Sequence, residues 1–177
     1  MTSVSDKPLE MRLLLFILIL GILFGIELLE PVRNAVILPF TAMIADISAF
    51  VVQFFDPTVE ARGIVLRNME NGAAVAILPG CNGIDAMIVL LAAIASFPAS
   101  WREKAIGLIV GFGALQALNI VRIICLFYLL QWNMDWFEWA HLYIWQVLIM
   151  LDALIVFFLW IRWLPAAPTP TAEDRVG

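Results

Sequence analysis

The chain has 177 residues, of which 63% are hydrophobic and only 14% charged, with ten Lys+Arg against fifteen Asp+Glu for a net charge of −5. Soluble domains lie near about 45–50% apolar and about 25% charged, and a chain this short has too much surface to hide the excess. The mean hydropathy of +0.97 agrees. A soluble enzyme, a disordered tail and a nucleic-acid binder are excluded, since no basic field is available for phosphates. An all-α polytopic transmembrane bundle remains.

Five apolar stretches follow one another. Leu13–Leu29 comes after Lys7 and Arg12 with no small-residue cleavage site behind it, and reads as a retained signal anchor. Val36–Phe55 is long enough to span but holds Asp46 at its middle and Thr41, Ser48 and Gln53 beside it. Next, Gly63–Arg67 and Ala73–Leu78 flank a segment ending in Asn71-Gly72, the signature of a β-hairpin. The hairpin leads into Pro79-Gly80-Cys81-Asn82-Gly83 and a short apolar stretch, Ile84–Phe97. Ala105–Leu130 carries Gln116, Asn119 and Arg122; Leu142–Leu164 carries Gln146 and Asp152. The domain is expected to close at residue 164, with a disordered cytoplasmic tail over 165–177.

Charge sets the expected orientation. Arg102 and Lys104 place their loop in the cytoplasm by the positive-inside rule, so the segment from Asp56 to Gly83 lies outside. Keeping Lys7 and Arg12 inside as well requires Val36–Phe55 to return to the side it came from. The expectation is four spans plus one interfacial or re-entrant helix, with five spans as the alternative. Trp132, Trp136, Trp139, Trp160 and Trp163 mark the two ends of the last span, as interfacial aromatics do.

The few polar residues carry the chemistry. Cys81 stands in a turn just before a helix, where free N–H groups and the dipole favour a thiolate. Asn82 and Asp85 have the spacing of a helix N-cap followed by an acid in the first turn; Asp85 is alternatively a partner for a base or an arginine. Arg122 is the costliest residue, about 2.5–3.5 kcal/mol on insertion scales, and such residues face the bundle interior. Asn119 precedes it by one turn on the same side of the helix. An ion pair with Asp85, Asp152 or Glu27 is the structural alternative. His141, the single histidine, opens the last span and is the natural proton carrier near neutral pH. With Cys81, Arg122 and His141 at one face, a thiol, a cation and an imidazole supply the parts of acyl transfer through a thioester.

Cys81-Asn82-Gly83 after a hairpin, Asn119-Ile120-Val121-Arg122 inside a span and His141 opening the next resemble, in order, the signatures of the exosortase/archaeosortase group of membrane transpeptidases. The resemblance covers roughly residues 38–163 and is nearest the exosortase H subgroup. Asn82 stands where many members have serine, and the chain is shorter than members with more spans. The resemblance implies a cysteine peptidase or transpeptidase of the bacterial plasma (inner) membrane, active on its extracytoplasmic side. It implies no metal or other cofactor. The implied partners are exported proteins ending in a short motif, a transmembrane helix and a basic tail, which are cleaved and passed to a surface acceptor. Cys81 would be the nucleophile, His141 the general acid and base, and Arg122 the oxyanion or thiolate stabiliser, with Asn119, Asn82 and Asp85 supporting. Two other classes are a thiol–disulfide membrane protein, which normally wants paired cysteines, and a non-enzymatic assembly subunit.

Overall fold

The computed structural model describes residues 8–165. Lys7 and Arg175, and the expected tail beyond Pro165, lie outside the described residues. The element order is α1 (Leu9–Glu27), α2 (Glu30–Gln53), β1 (Val59–Arg62), β2 (Val65–Asn68), β3 (Ala74–Ala76), α3 (Ile84–Ser96), α4 (Trp101–Trp132) and α5 (Met134–Trp163).

α1, α2, α4 and α5 are long and apolar enough to cross a membrane, whereas α3 has only 13 residues. At 1.5 Å per residue α3 extends about 20 Å, short of a hydrocarbon core of about 30 Å. α2 is one helix that does not fold back on itself. Pro39 removes a backbone donor from its interior, and the π-turn Arg33–Ile37 absorbs the defect by letting Leu38 N donate to Arg33 O. The main packing partners of its second half are β1, β2 and α4. Asp46 is on its exposed side, with Met43 and Phe50.

Two cores result. At one end of the bundle Ile44, Val52, Val59, Leu66, Ile77 and Phe127 bury the sheet between α2 and the last turns of α4. Further along, Leu90, Ile94, Leu115, Ile149, Ala153 and Trp160 join α3, α4 and α5. The second core depends on two glycines of α4. Any side chain at Gly107 would collide with the Trp160 indole, and one at Gly111 would meet Leu90. The Trp160 indole then donates to Glu103 O at 3.0 Å. The start of α4 is fixed by a capping box, with Ser100 N donating to Glu103 at 2.7 Å and Ser100 Oγ accepting from Glu103 N at 3.4 Å.

The expected hairpin is present as β2 and β3, in the register Val65↔Ala76 and Arg67↔Ala74. Its connection is not a two-residue turn. Asn68 N donates to Ala73 O, the Asn68 side chain accepts from Glu70 N and Asn71 N, and Gly72 takes φ +76. A third strand, β1, pairs antiparallel with β2 and makes the sheet three-stranded, which the hairpin reading did not include.

Candidate active site

Cys81 is partly buried against the first of the two cores. The chain leaves β3, turns at Pro79-Gly80 with Gly80 at φ +85, and Cys81 N donates to Leu78 O at 2.9 Å. α3 then begins at Ile84, where the apolar stretch does, but its N-cap is Gly83 rather than Asn82, in the left-handed conformation at φ +80. The Asn82 side chain, 0% exposed, still serves the helix start, since its Oδ1 accepts from Ile84 N at 3.1 Å. Its amide also donates to Thr41 Oγ1 at 3.0 Å, and Thr41 donates to Ile37 O at 2.8 Å. The loop behind the thiol is thus tied to α2.

Arg122 reaches Cys81 from α4. Its Nη2 lies 3.6 Å from Sγ in the geometry of a hydrogen bond to sulfur. The residue is 2% exposed, yet Nε and Nη1 have no partner. Among the described residues no carboxylate is at ion-pair distance from it, so the alternative of a structural ion pair with Asp85, Asp152 or Glu27 is not formed. Breaking a buried pair by removing one partner ordinarily costs several kcal/mol; here the hydrogen-bond partner of the buried cation is a thiol. Asn119 is also buried; its amide donates to Gln116 Oε1 at 3.4 Å and its own Oδ1 is unpartnered. Gln116 in turn donates to Asn82 O at 3.2 Å. Arg122 and Asn119 line a cavity of about 10 Å³ together with Gly83, Trp145 and Asp152.

The expectation that the helix start lowers the thiol's pKa is corrected. Burial pushes the Cys81 thiol above its ordinary range; the Arg122 charge opposes this and the Asp85 carboxyl adds to it. The dipole argument omitted desolvation, which dominates.

His141 sits in the π-turn Ala140–Ile144 that interrupts α5, a feature frequent at functional sites. Its ring stacks on Phe137 at 5.7 Å and 2°. Nδ1 is buried without a partner, and no hydrogen bond joins His141 to Cys81 among the described residues. Arg122 is near enough to act on it electrostatically. Asp85, partly buried in the first turn of α3, has its Oδ2 3.6 Å from where a Cβ on Gly80 would stand. Cys125, by contrast, is exposed, and both cysteines are free.

Sequence reasoning missed Thr41 and Phe137 as supports, while Gln116 was legible as one of three polar residues along one side of its helix, at i, i+3 spacing with Asn119 and Arg122. Thr41 was visible only as a polar interruption of an apolar stretch, and Phe137 as one aromatic among many. The larger cavities, about 440 and 420 Å³, are apolar and contain none of Cys81, Arg122 and His141.

No curated protein and no solved structure matches the chain. A family model described as transmembrane exosortase (EpsH) matches residues 8–160, which spans every element from α1 into α5. The chain is a multi-pass helical membrane protein and belongs to the transmembrane exosortase family.

Proposed function

We propose that the protein cleaves exported proteins at a C-terminal sorting signal through a Cys81 acyl-enzyme, on the extracytoplasmic side of the plasma (inner) membrane. The observation that carries this reading is the 3.6 Å approach of the buried, carboxylate-free Arg122 to Cys81 Sγ. A fixed cation there favours the thiolate, and the oxyanion that follows it, over the neutral thiol.

In the reaction the thiol proton passes to His141 and Sγ adds to the scissile carbonyl. The tetrahedral oxyanion forms beside Arg122. Its collapse breaks the C–N bond, and the leaving amine takes the proton from His141. Water or an acceptor nucleophile then attacks the thioester and Cys81 leaves as thiolate. Because burial keeps the thiol protonated, the base is needed at the first step. Asn119 and Gln116 position Arg122, and Asn82 and Asp85 hold the start of α3. The substrate's own transmembrane helix lies against the apolar helix faces, so that binding far from the bond aligns it.

The test is co-expression of Cys81→Ala with a substrate carrying a motif, an apolar helix and a basic tail. Loss of processing is expected; unchanged processing would overturn the reading.

A further inference from the structure

Two buried side chains of the site carry polar atoms that no protein group among the described residues satisfies. Arg122, 2% exposed, turns Nη2 to the Cys81 thiol and has no partner for Nε or Nη1. Asn119, 4% exposed, has none for Oδ1. The two stand one turn apart on α4, and both line the same cavity of about 10 Å³. α4 and α5 are long and apolar enough to cross a membrane, and inside a bilayer no bulk water reaches such atoms. Left bare, they carry the cost of desolvation in full.

The third polar group of the cavity comes from α5. Trp145, Ile149 and Asp152 follow at spacings of four and three residues, which puts them on one face of the helix, and all three line the cavity. Asp152 is partly buried and not within ion-pair distance of Arg122. One donor group and two acceptors therefore frame the space between α4 and α5, and Gly83 and Ala86 of the neighbouring chain close it.

Size and hydrogen-bonding sense decide what fits. The volume of about 10 Å³ is the room that a single water requires, and a buried water ordinarily makes about three hydrogen bonds. The guanidinium disfavours a metal cation. An anion such as chloride only accepts, and would leave Asn119 Oδ1 bare beside the Asp152 carboxyl. Water accepts from the arginine and donates twice, and either protonation state of Asp152 offers it an acceptor oxygen.

We propose that the cavity holds one water molecule, which accepts from Nε or Nη1 of Arg122 and donates to Asn119 Oδ1 and to Asp152. Through that water Asp152 is a positioning residue: anchored at a second nitrogen, the guanidinium is held in the orientation that meets Cys81. Its bearing on catalysis rests on the acyl-transfer reading above; its bearing on the thiol does not.

The experiment uses the full chain in a Cys125→Ser background, with Asp152→Asn and Asp152→Leu compared with the parent. Asparagine keeps an acceptor oxygen for the water, whereas leucine, of similar size, keeps none. Each purified protein is examined for ordered density in the cavity, by a structure at a resolution that shows waters, and for the rate of iodoacetamide alkylation of Cys81; cleavage of a sorting-signal substrate is measured beside them. The parent and Asp152→Asn should both show one water peak within hydrogen-bond distance of Arg122 and Asn119, and should agree within about twofold in both rates. Asp152→Leu should lose the peak and slow both rates by about tenfold. A dry cavity in the parent overturns the water site. If leucine matches the parent, Asp152 positions nothing. If the two variants move together, faster or slower, Asp152 acts by its charge alone and the role through water fails. Should cleavage survive Cys81→Ala, the catalytic reading fails, and the density and the alkylation rates still decide the water.

Discussion

A Cβ placed on Gly83 would lie 2.7 Å from Gln116 Nε2 and 3.2 Å from Asn119 Nδ2. The glycine two positions after the cysteine therefore does two things at once. It takes a left-handed φ of +80 that ends the loop, and it lets α3 approach the polar side of α4 closely enough to bring Cys81 to Arg122.

Gly83→Ala should accordingly fail twice. The backbone alone costs about 1–3 kcal/mol for a residue held in this conformation, and the amides of Gln116 and Asn119 must move. Thermal unfolding in detergent should show the loss, and Cys81 alkylation should lose its dependence on Arg122.

Arg122→Gln removes the charge opposing desolvation of the thiol, so the thiol should titrate higher still. Substrate processing should fall by about 10²–10³-fold, the usual cost of one preorganised oxyanion group. Arg122→Lys, with its compact charge, should recover part of the alkylation rate and little of the processing.

The acidity of Cys81 gives a pH test. Its pKa is raised, mainly by burial, so the neutral thiol prevails at neutral pH and the thiolate appears only on the alkaline side of the ordinary thiol range of about 8.5. Alkylation in the Cys125→Ser background should keep rising beyond that pH. A plateau already reached at pH 7 would show instead that Arg122 outweighs desolvation.

Asn82→Ser separates the two contacts of the Asn82 side chain. The hydroxyl can accept from Ile84 N in place of Oδ1 but does not carry the amide that reaches Thr41. A loss of about 0.5–1.5 kcal/mol is expected. Thr41→Val should cost less in the Asn82→Ser background than alone, a coupling that a double-mutant cycle of unfolding free energies measures.

His141→Gln should lower processing by about 10²–10⁴-fold. Phe137→Leu, which removes the stacked ring and leaves the imidazole in place, should have a smaller effect on processing and should broaden the pH dependence of the rate.

Much of this was legible because the background is so uniform. In a chain of lipid-facing side chains, Arg122 and Asn119 could be singled out one turn apart on α4, and Cys81 by its turn. Asn71-Gly72 announced β2 and β3. What escaped was set by contacts between elements distant in sequence. The hydroxyl of Thr41 matters because Asn82 lies against it, and no periodicity in α2 points to α3. β1 escaped because Val59-Glu60-Ala61-Arg62 has only four residues and half of them are charged, although their alternation is that of a strand with one face buried. The extent of α4 was misjudged at its start, where the Ser100–Glu103 capping box gives a local signal that the apolar count passes over. The direction of the Cys81 shift failed for a different reason, since a dipole is readable from a helix start whereas burial is not.

The unpaired state of Arg122 has a bearing on the lifetime of the intermediate in the proposed reaction. The thiolate and the oxyanion each place a negative charge beside the guanidinium, but the thioester between them is neutral. The resting protein, with its thiol protonated, and the acylated protein are then the two stages at which the buried cation has no negative charge beside it. Both are lifted relative to the charged stages that separate them, so the guanidinium should speed entry to and exit from the acyl-enzyme alike.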